Sequence, residues 1–94
     1  MKAKKPSIAS ELRRAVAIAL AGDWKGAHEI AQQYDDDPTA CWLHAVVHRI
    51  EGDSSNALYW YDRCHRKLRE QVSTEDELKE IAAALADPSA GPEA

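Results

Sequence analysis

The sequence predicts an all-α protein: two stacked antiparallel helical hairpins followed by a C-terminal closing helix. Three observations carry that prediction. The string Gly22-Asp23-Trp24-Lys25-Gly26-Ala27 returns thirty positions later as Gly52-Asp53-Ser54-Ser55-Asn56-Ala57. Each copy lies between segments whose apolar residues recur at helical spacing, so each reads as a turn joining two helices. Asp37-Pro38 breaks the chain between further helical segments, Asp87-Pro88 ends the last one, and nowhere does the pattern require a strand.

The first helix is expected from Ser7 or Ser10 to Ala21, with Ile8, Leu12, Val16, Ala19 and Leu20 along one stripe. Gly22 supplies a left-handed residue that ends it without a Cβ penalty, and Asp23 offers a side-chain acceptor to the next helix. That second helix turns Trp24, Ala27, Ile30, Ala31 and Tyr34 inward. Asp37 as N-cap and Pro38 as first residue open a third helix that runs to Glu51 and stops at Gly52. With Asp53 or Ser54 as cap, the fourth places Ala57, Tyr61, Cys64 and Leu68 on one continuous stripe. The fifth starts at Ser73-Thr74, where Thr74 and Glu77 have capping-box spacing and Glu75, Asp76 and Glu77 suit the helix dipole. Leu78, Ile81, Ala82 and Leu85 form its apolar face. The domain organisation that results is a basic disordered arm over residues 1–6, one helical domain over 7–87 and a disordered tail over 88–94.

Composition narrows the function classes. Ninety-four residues make one domain with a modest core. A net charge of -4 argues against nucleic acid, which needs a coherent basic face. No apolar run approaches the roughly 20 residues that span a bilayer, so no membrane partner is expected. The basic N-terminus lacks the apolar region of a secretion signal, and two cysteines are too few for a secreted disulfide scaffold. A cytoplasmic protein with reduced thiols is the expectation.

With the turn and its flanks in view, the third and fourth helices resemble a tetratricopeptide repeat through Trp42, Ala45, Gly52, Asp53, Ala57, Tyr61 and Cys64. Ala15, Gly22, Asp23, Ala27 and Tyr34 match more weakly in the first hairpin. The period of thirty is about one helical turn short of that family's ~34 residues. Two repeats also fall short of the usual three, so the fifth helix or self-association must cover an open end. The resemblance implies a concave binding face lined by the first helix of each hairpin, which nominates Trp42, Val46, Arg49 and Ile50 for a peptide or protein partner. Arg49 suits capture of a carboxylate, or pairs with Asp53. The string from Trp42 to Asp53, with Asn56 and Tyr59-Trp60-Tyr61, is also similar to a group of small bacterial proteins, a likeness that carries no function with it.

Two clusters hold the chemistry. Cys41, His44 and His48 share one helix face, with Cys64 expected opposite and His28 and His65 as further candidates, which is the donor set of a zinc or copper site. Weighed against this, the repeat pattern puts His44 and His48 at core positions, and histidine there packs on Tyr61 or Trp42 and bonds Glu51, Asn56 or a backbone carbonyl. His48 with Glu51 also has the form of a general-base pair, although no nucleophile or phosphate loop accompanies it. The second cluster is Tyr59-Trp60-Tyr61, whose side chains point about 100° apart. Tyr61 belongs inside, which leaves Tyr59 or Trp60 for an interface. The sequence therefore predicts a non-catalytic interaction or scaffold module without a cofactor. A metal or small-ligand site at His44, His48 and Cys41 is the alternative, and a histidine acid–base enzyme the third reading.

Overall fold

The structure, a computed structural model, describes residues 7–86; the predicted arm and tail lie outside the described residues. Five helices account for it: α1 (Ile8–Leu20), α2 (Trp24–Ala31), α3 (Pro38–Glu51), α4 (Ser54–Arg63) and α5 (Thr74–Ala86), with no strand among the described residues. The fold class is all-α.

Both copies of the repeated turn are built the same way. Gly22 and Gly52 take φ of 104° and 90°, the left-handed region that a Cβ disfavours. The following amides, Asp23 and Asp53, donate back to the carbonyls of Ile18 and His48, closing the end of the preceding helix. The same aspartates then turn forward: each carboxylate accepts the amide three residues on, at Gly26 and Asn56. Ala27 and Ala57 follow, both fully buried, where α2 meets α1 and α4 meets α3. Asp37 caps α3 through the amides of Thr39 and Ala40, with Pro38 in the first turn as the sequence indicates.

Helix α3 is the centre of the molecule. Every residue from Ala40 to His48 is buried, because α1, α2, α4 and α5 all pack against it. A helix apolar all round belongs in the interior rather than on an edge. Its buried neighbours are Leu12, Ala15, Val16 and Ala19 of α1, Ile30 of α2, Tyr61 of α4, and Leu78 and Ile81 of α5.

Four sequence expectations need correction. The α1 stripe is narrower than predicted: Ile8 and Leu20, at its two ends, stay exposed, beyond the reach of α3 and α5. Helix α2 loosens into a single 3-10 turn over Gln32–Tyr34, leaving Tyr34 half-buried. Helix α4 stops at Arg63, so Cys64 and Leu68 do not continue its stripe. The stop is a left-handed His65 (φ 60°), with the Arg66 amide returned to the Tyr61 carbonyl. At α5 the capping box does not form. Ser73 caps through the Asp76 amide, and Glu77 turns into the core instead.

Glu77 is what fastens α5 down. Though 1% exposed, its carboxylate accepts the Trp42 indole N–H at 2.8 Å, the Tyr61 hydroxyl at 2.7 Å and an Arg49 guanidinium N–H at 2.7 Å. A buried charge survives only with partners of this number and polarity. Burial, then the carboxylate itself, holds the Tyr61 phenol above its ordinary range. Arg49 also donates to the Val72 carbonyl, which anchors the connection into α5.

Candidate metal centre

His44 and His48 stand one helical turn apart on α3, so their rings share a face. Their ring centroids are 5.0 Å apart with planes 23° from parallel. The third ring, His28, comes from α2 and follows directly on Ala27. Its centroid lies 4.6 Å from that of His44 and 5.2 Å from that of His48, edge-on to both. One ring nitrogen from each histidine lies within 4.8 Å of the other two. The cluster therefore sits between the two hairpins, where α2 packs on α3.

Two of the rings are oriented by carboxylates. The Asp35 Oδ1 lies 3.0 Å from His44 Nδ1, and the Glu51 Oε1 lies 2.9 Å from His48 Nδ1. A carboxylate only accepts, so Nδ1 carries the proton in each ring, and in the uncharged imidazole Nε2 is the lone-pair donor. This histidine–carboxylate pairing is how metal sites fix the tautomer and raise ligand basicity. Asp35 comes from the bend before α3, and Glu51 is the last residue of α3, one turn beyond His48.

The far side of His44 is closed by the Trp60 ring, stacked on it with centroids 3.9 Å apart and planes at 15°. Between Trp60 and the core, His44 is 4% exposed. Burial pushes its pKa below the ordinary value, and the Asp35 carboxylate opposes that shift without cancelling it. Near neutral pH His44 is therefore held uncharged, the form in which imidazole binds a metal. His28 is half-buried and has no hydrogen-bond partner among the described residues, so solvent reaches the cluster along its side.

A tetrahedral zinc with Zn–N of about 2.0–2.1 Å holds its ligand nitrogens roughly 3.4 Å apart, inside the 4.8 Å that bounds this cluster. His28, half-buried and edge-on to the other two rings, is the one of the three whose ring no hydrogen bond among the described residues fixes. Two adjacent carboxylates offset a divalent charge at short range. Three imidazoles leave a fourth coordination position for water or a ligand, and all-nitrogen donors suit zinc, copper, nickel or cobalt rather than calcium or magnesium.

The sequence-predicted site residues separate in the structure. His44 and His48 are together, but Cys41 does not join their cluster: its Sγ donates to the Trp60 carbonyl at 3.6 Å. Cys64 is likewise outside the cluster, and His28 takes the third place. His48 bonds Glu51 as predicted, whereas His44 packs on Trp60 rather than on Tyr61 or Trp42. Asp35 was missed altogether; its signal was an acidic residue in the bend leading into the histidine-bearing helix.

The predicted concave face is not open. Trp42 and Val46 are 5% and 0% exposed, Ile50 packs against the core, and Arg49 is bound to Glu77 rather than to Asp53. The cause is α5, which docks on the face of α3 that a partner would need. Of the adjacent aromatics, Trp60 is half-buried on His44 and Tyr59 is 54% exposed. No family model, curated protein or solved structure matches the chain. Among the described residues no helix is long and apolar enough to cross a membrane.

Proposed function

We propose that this protein binds a divalent transition-metal ion, of the zinc class, through His28, His44 and His48. The observation that carries the reading is the convergence of three imidazoles, one ring nitrogen of each within 4.8 Å of the other two, with the Nδ1 atoms of His44 and His48 paired to Asp35 and Glu51. Histidines that merely fill a core need no third imidazole at their free edge. Zinc titrated into metal-free protein near neutral pH is expected to bind one to one and to raise the melting temperature. At a hundredfold excess over Kd the stabilisation is about 2.7 kcal/mol. His28→Ala should abolish that response while the metal-free protein melts nearly as before, because His28 is only half-buried. Asp35→Asn should weaken zinc by about 10–100-fold. Affinity falls as pH drops below the histidine range, since protons compete for the rings. Absence of binding heat together with an unchanged melting curve in excess zinc would sink the reading.

A second reading, a helical-repeat interaction module for a protein, a peptide or a second copy of the chain, is favoured by Leu58 and Tyr59. These neighbours on α4 are 55% and 54% exposed. Exposed apolar side chains of this size offer a partner a contact surface. Leu58→Glu with Tyr59→Glu would then abolish recovery of a partner from lysate, or a concentration-dependent dimer on sizing, without lowering helicity. Unchanged recovery and sizing remove this reading.

A further inference from the structure

We infer that Cys41 and Cys64 are a paired dithiol which a peroxide converts to an intramolecular disulfide. They are the only cysteines of the chain, twenty-three positions apart, yet both are attached to one atom. The Cys41 Sγ lies 3.6 Å from the Trp60 carbonyl oxygen, and the Cys64 backbone N–H donates to the same oxygen at 3.1 Å. The two residues also line one cavity of about 360 Å³, together with Asp35, Arg63 and His65. Each thiol perturbs the ionisation of the other.

The pair is unequal in a way that assigns roles. Cys41 is 2% exposed on the central helix, where the backbone is fixed. Cys64 is half-exposed and lies just past the end of α4, next to the left-handed reversal at His65. An oxidant therefore meets Cys64 first, and Cys64 has the freer backbone for reaching disulfide geometry. In the first step the Cys64 thiolate attacks the peroxide O–O bond, forming a Cys64 sulfenic acid and releasing an alcohol, or water from hydrogen peroxide. In the second, the Cys41 sulfur displaces the sulfenic oxygen, which leaves as water with the Cys41 thiol proton. Overall the two thiols give up two electrons and two protons, and one peroxide is reduced. Burial raises both thiols, Cys41 to about 12, while the Cys41 contact and Arg66 partly offset the rise at Cys64. The reaction is therefore slow at neutral pH and quickens as pH rises.

The test uses the reduced, metal-free full-length protein and hydrogen peroxide, so its outcome is independent of zinc binding. Intact mass should fall by about 2 Da, with both thiols lost to alkylation and restored by dithiothreitol. Cys41→Ser should instead accumulate a dimedone-reactive sulfenic acid at Cys64, and Cys64→Ser should leave Cys41 reduced. Wild-type protein that gains oxygen or forms interchain dimers without the 2 Da loss overturns the inference, as does Cys64→Ser oxidising at the wild-type rate. Because the wild-type measurement stands alone, a variant that fails to fold does not shield the proposal.

Discussion

The two copies of the Gly-Asp turn have the same backbone and opposite surroundings. In the first, α2 runs between α1 and α3, so the residue after its buried alanine, His28, faces another hairpin. In the second, the residue at the same place is Leu58, which is 55% exposed because no further hairpin among the described residues follows α4 in the stack. Local detail differs as well. A Cβ at Gly26 would run into the Asp23 carboxylate and Ile18, whereas its counterpart Asn56 adds a side-chain hydrogen bond to Asp53 at 2.7 Å. One turn design thus serves as an internal joint in the first copy and as an outer edge in the second. The histidine cluster forms at the joint because only there do two hairpins meet.

The largest expected effect concerns what closes the second hairpin, since the first has no counterpart to Glu77. Glu77→Ala leaves Arg49, the Trp42 indole and the Tyr61 hydroxyl without their shared acceptor. The predicted loss is about 3–5 kcal/mol in urea unfolding. A loss under about 1 kcal/mol would mean that water replaces the carboxylate there and that α5 is held by Leu78 and Ile81 alone. Next come the alanines. Ala27→Leu and Ala57→Leu both force a side chain into a fully buried contact, and each should cost about 1–3 kcal/mol. Only Ala27→Leu should also weaken zinc binding, because it moves α2 and His28 with it. Equal effects on zinc would break the distinction between joint and edge.

How much of this could be read from the sequence follows the same division. Local chemistry was legible: Gly22, Asp23, Asp37, Pro38, Gly52 and Asp53 fix helix ends through their own backbone and side-chain preferences, and the ends fall where they indicate. Packing between distant elements was not. Glu77 has the spacing of a capping-box residue, and only the arrival of Trp42, Tyr61 and Arg49 around it makes burial the better state. The histidine cluster was half legible. The spacing of His44 and His48 places them on one face, but the sequence offers Cys41 and Cys64, within the second hairpin, ahead of His28 as further donors. His28 belongs to the other hairpin, and the period of thirty does not say which faces of α2 and α3 meet. The helix-four stop at His65 gave no signal, since a histidine in a left-handed turn carries no marker of the kind glycine does.

That stop supplies a finer comparison, between helix ends closed by glycine and the one closed without it. Gly22→Ala and Gly52→Ala each place a Cβ in the left-handed region with open space around it, so the cost is conformational alone, about 1–2 kcal/mol in both copies. His65→Gly relieves the same strain and should stabilise by up to about 1 kcal/mol. Thermal unfolding of the three variants checks the set. A His65→Gly variant less stable than wild type would show that the His65 side chain makes a contact worth more than its backbone strain.

The smallest effect is the one that decides what the outer edge is for. Leu58→Ser removes an apolar side chain that is more than half in water, so an isolated chain should lose less than about 0.5 kcal/mol. On α2 the apolar residue Ile30 is buried instead, and Ile30→Ser there should cost several times more. Measured at low and high protein concentration, Leu58→Ser separates two states of the edge. If the cost is small at both, α4 ends the stack and its leucine is a solvated remnant of the repeat pattern. If the cost grows with concentration, wild-type stability includes a contact between chains that buries Leu58, and the edge is a second joint completed by another copy.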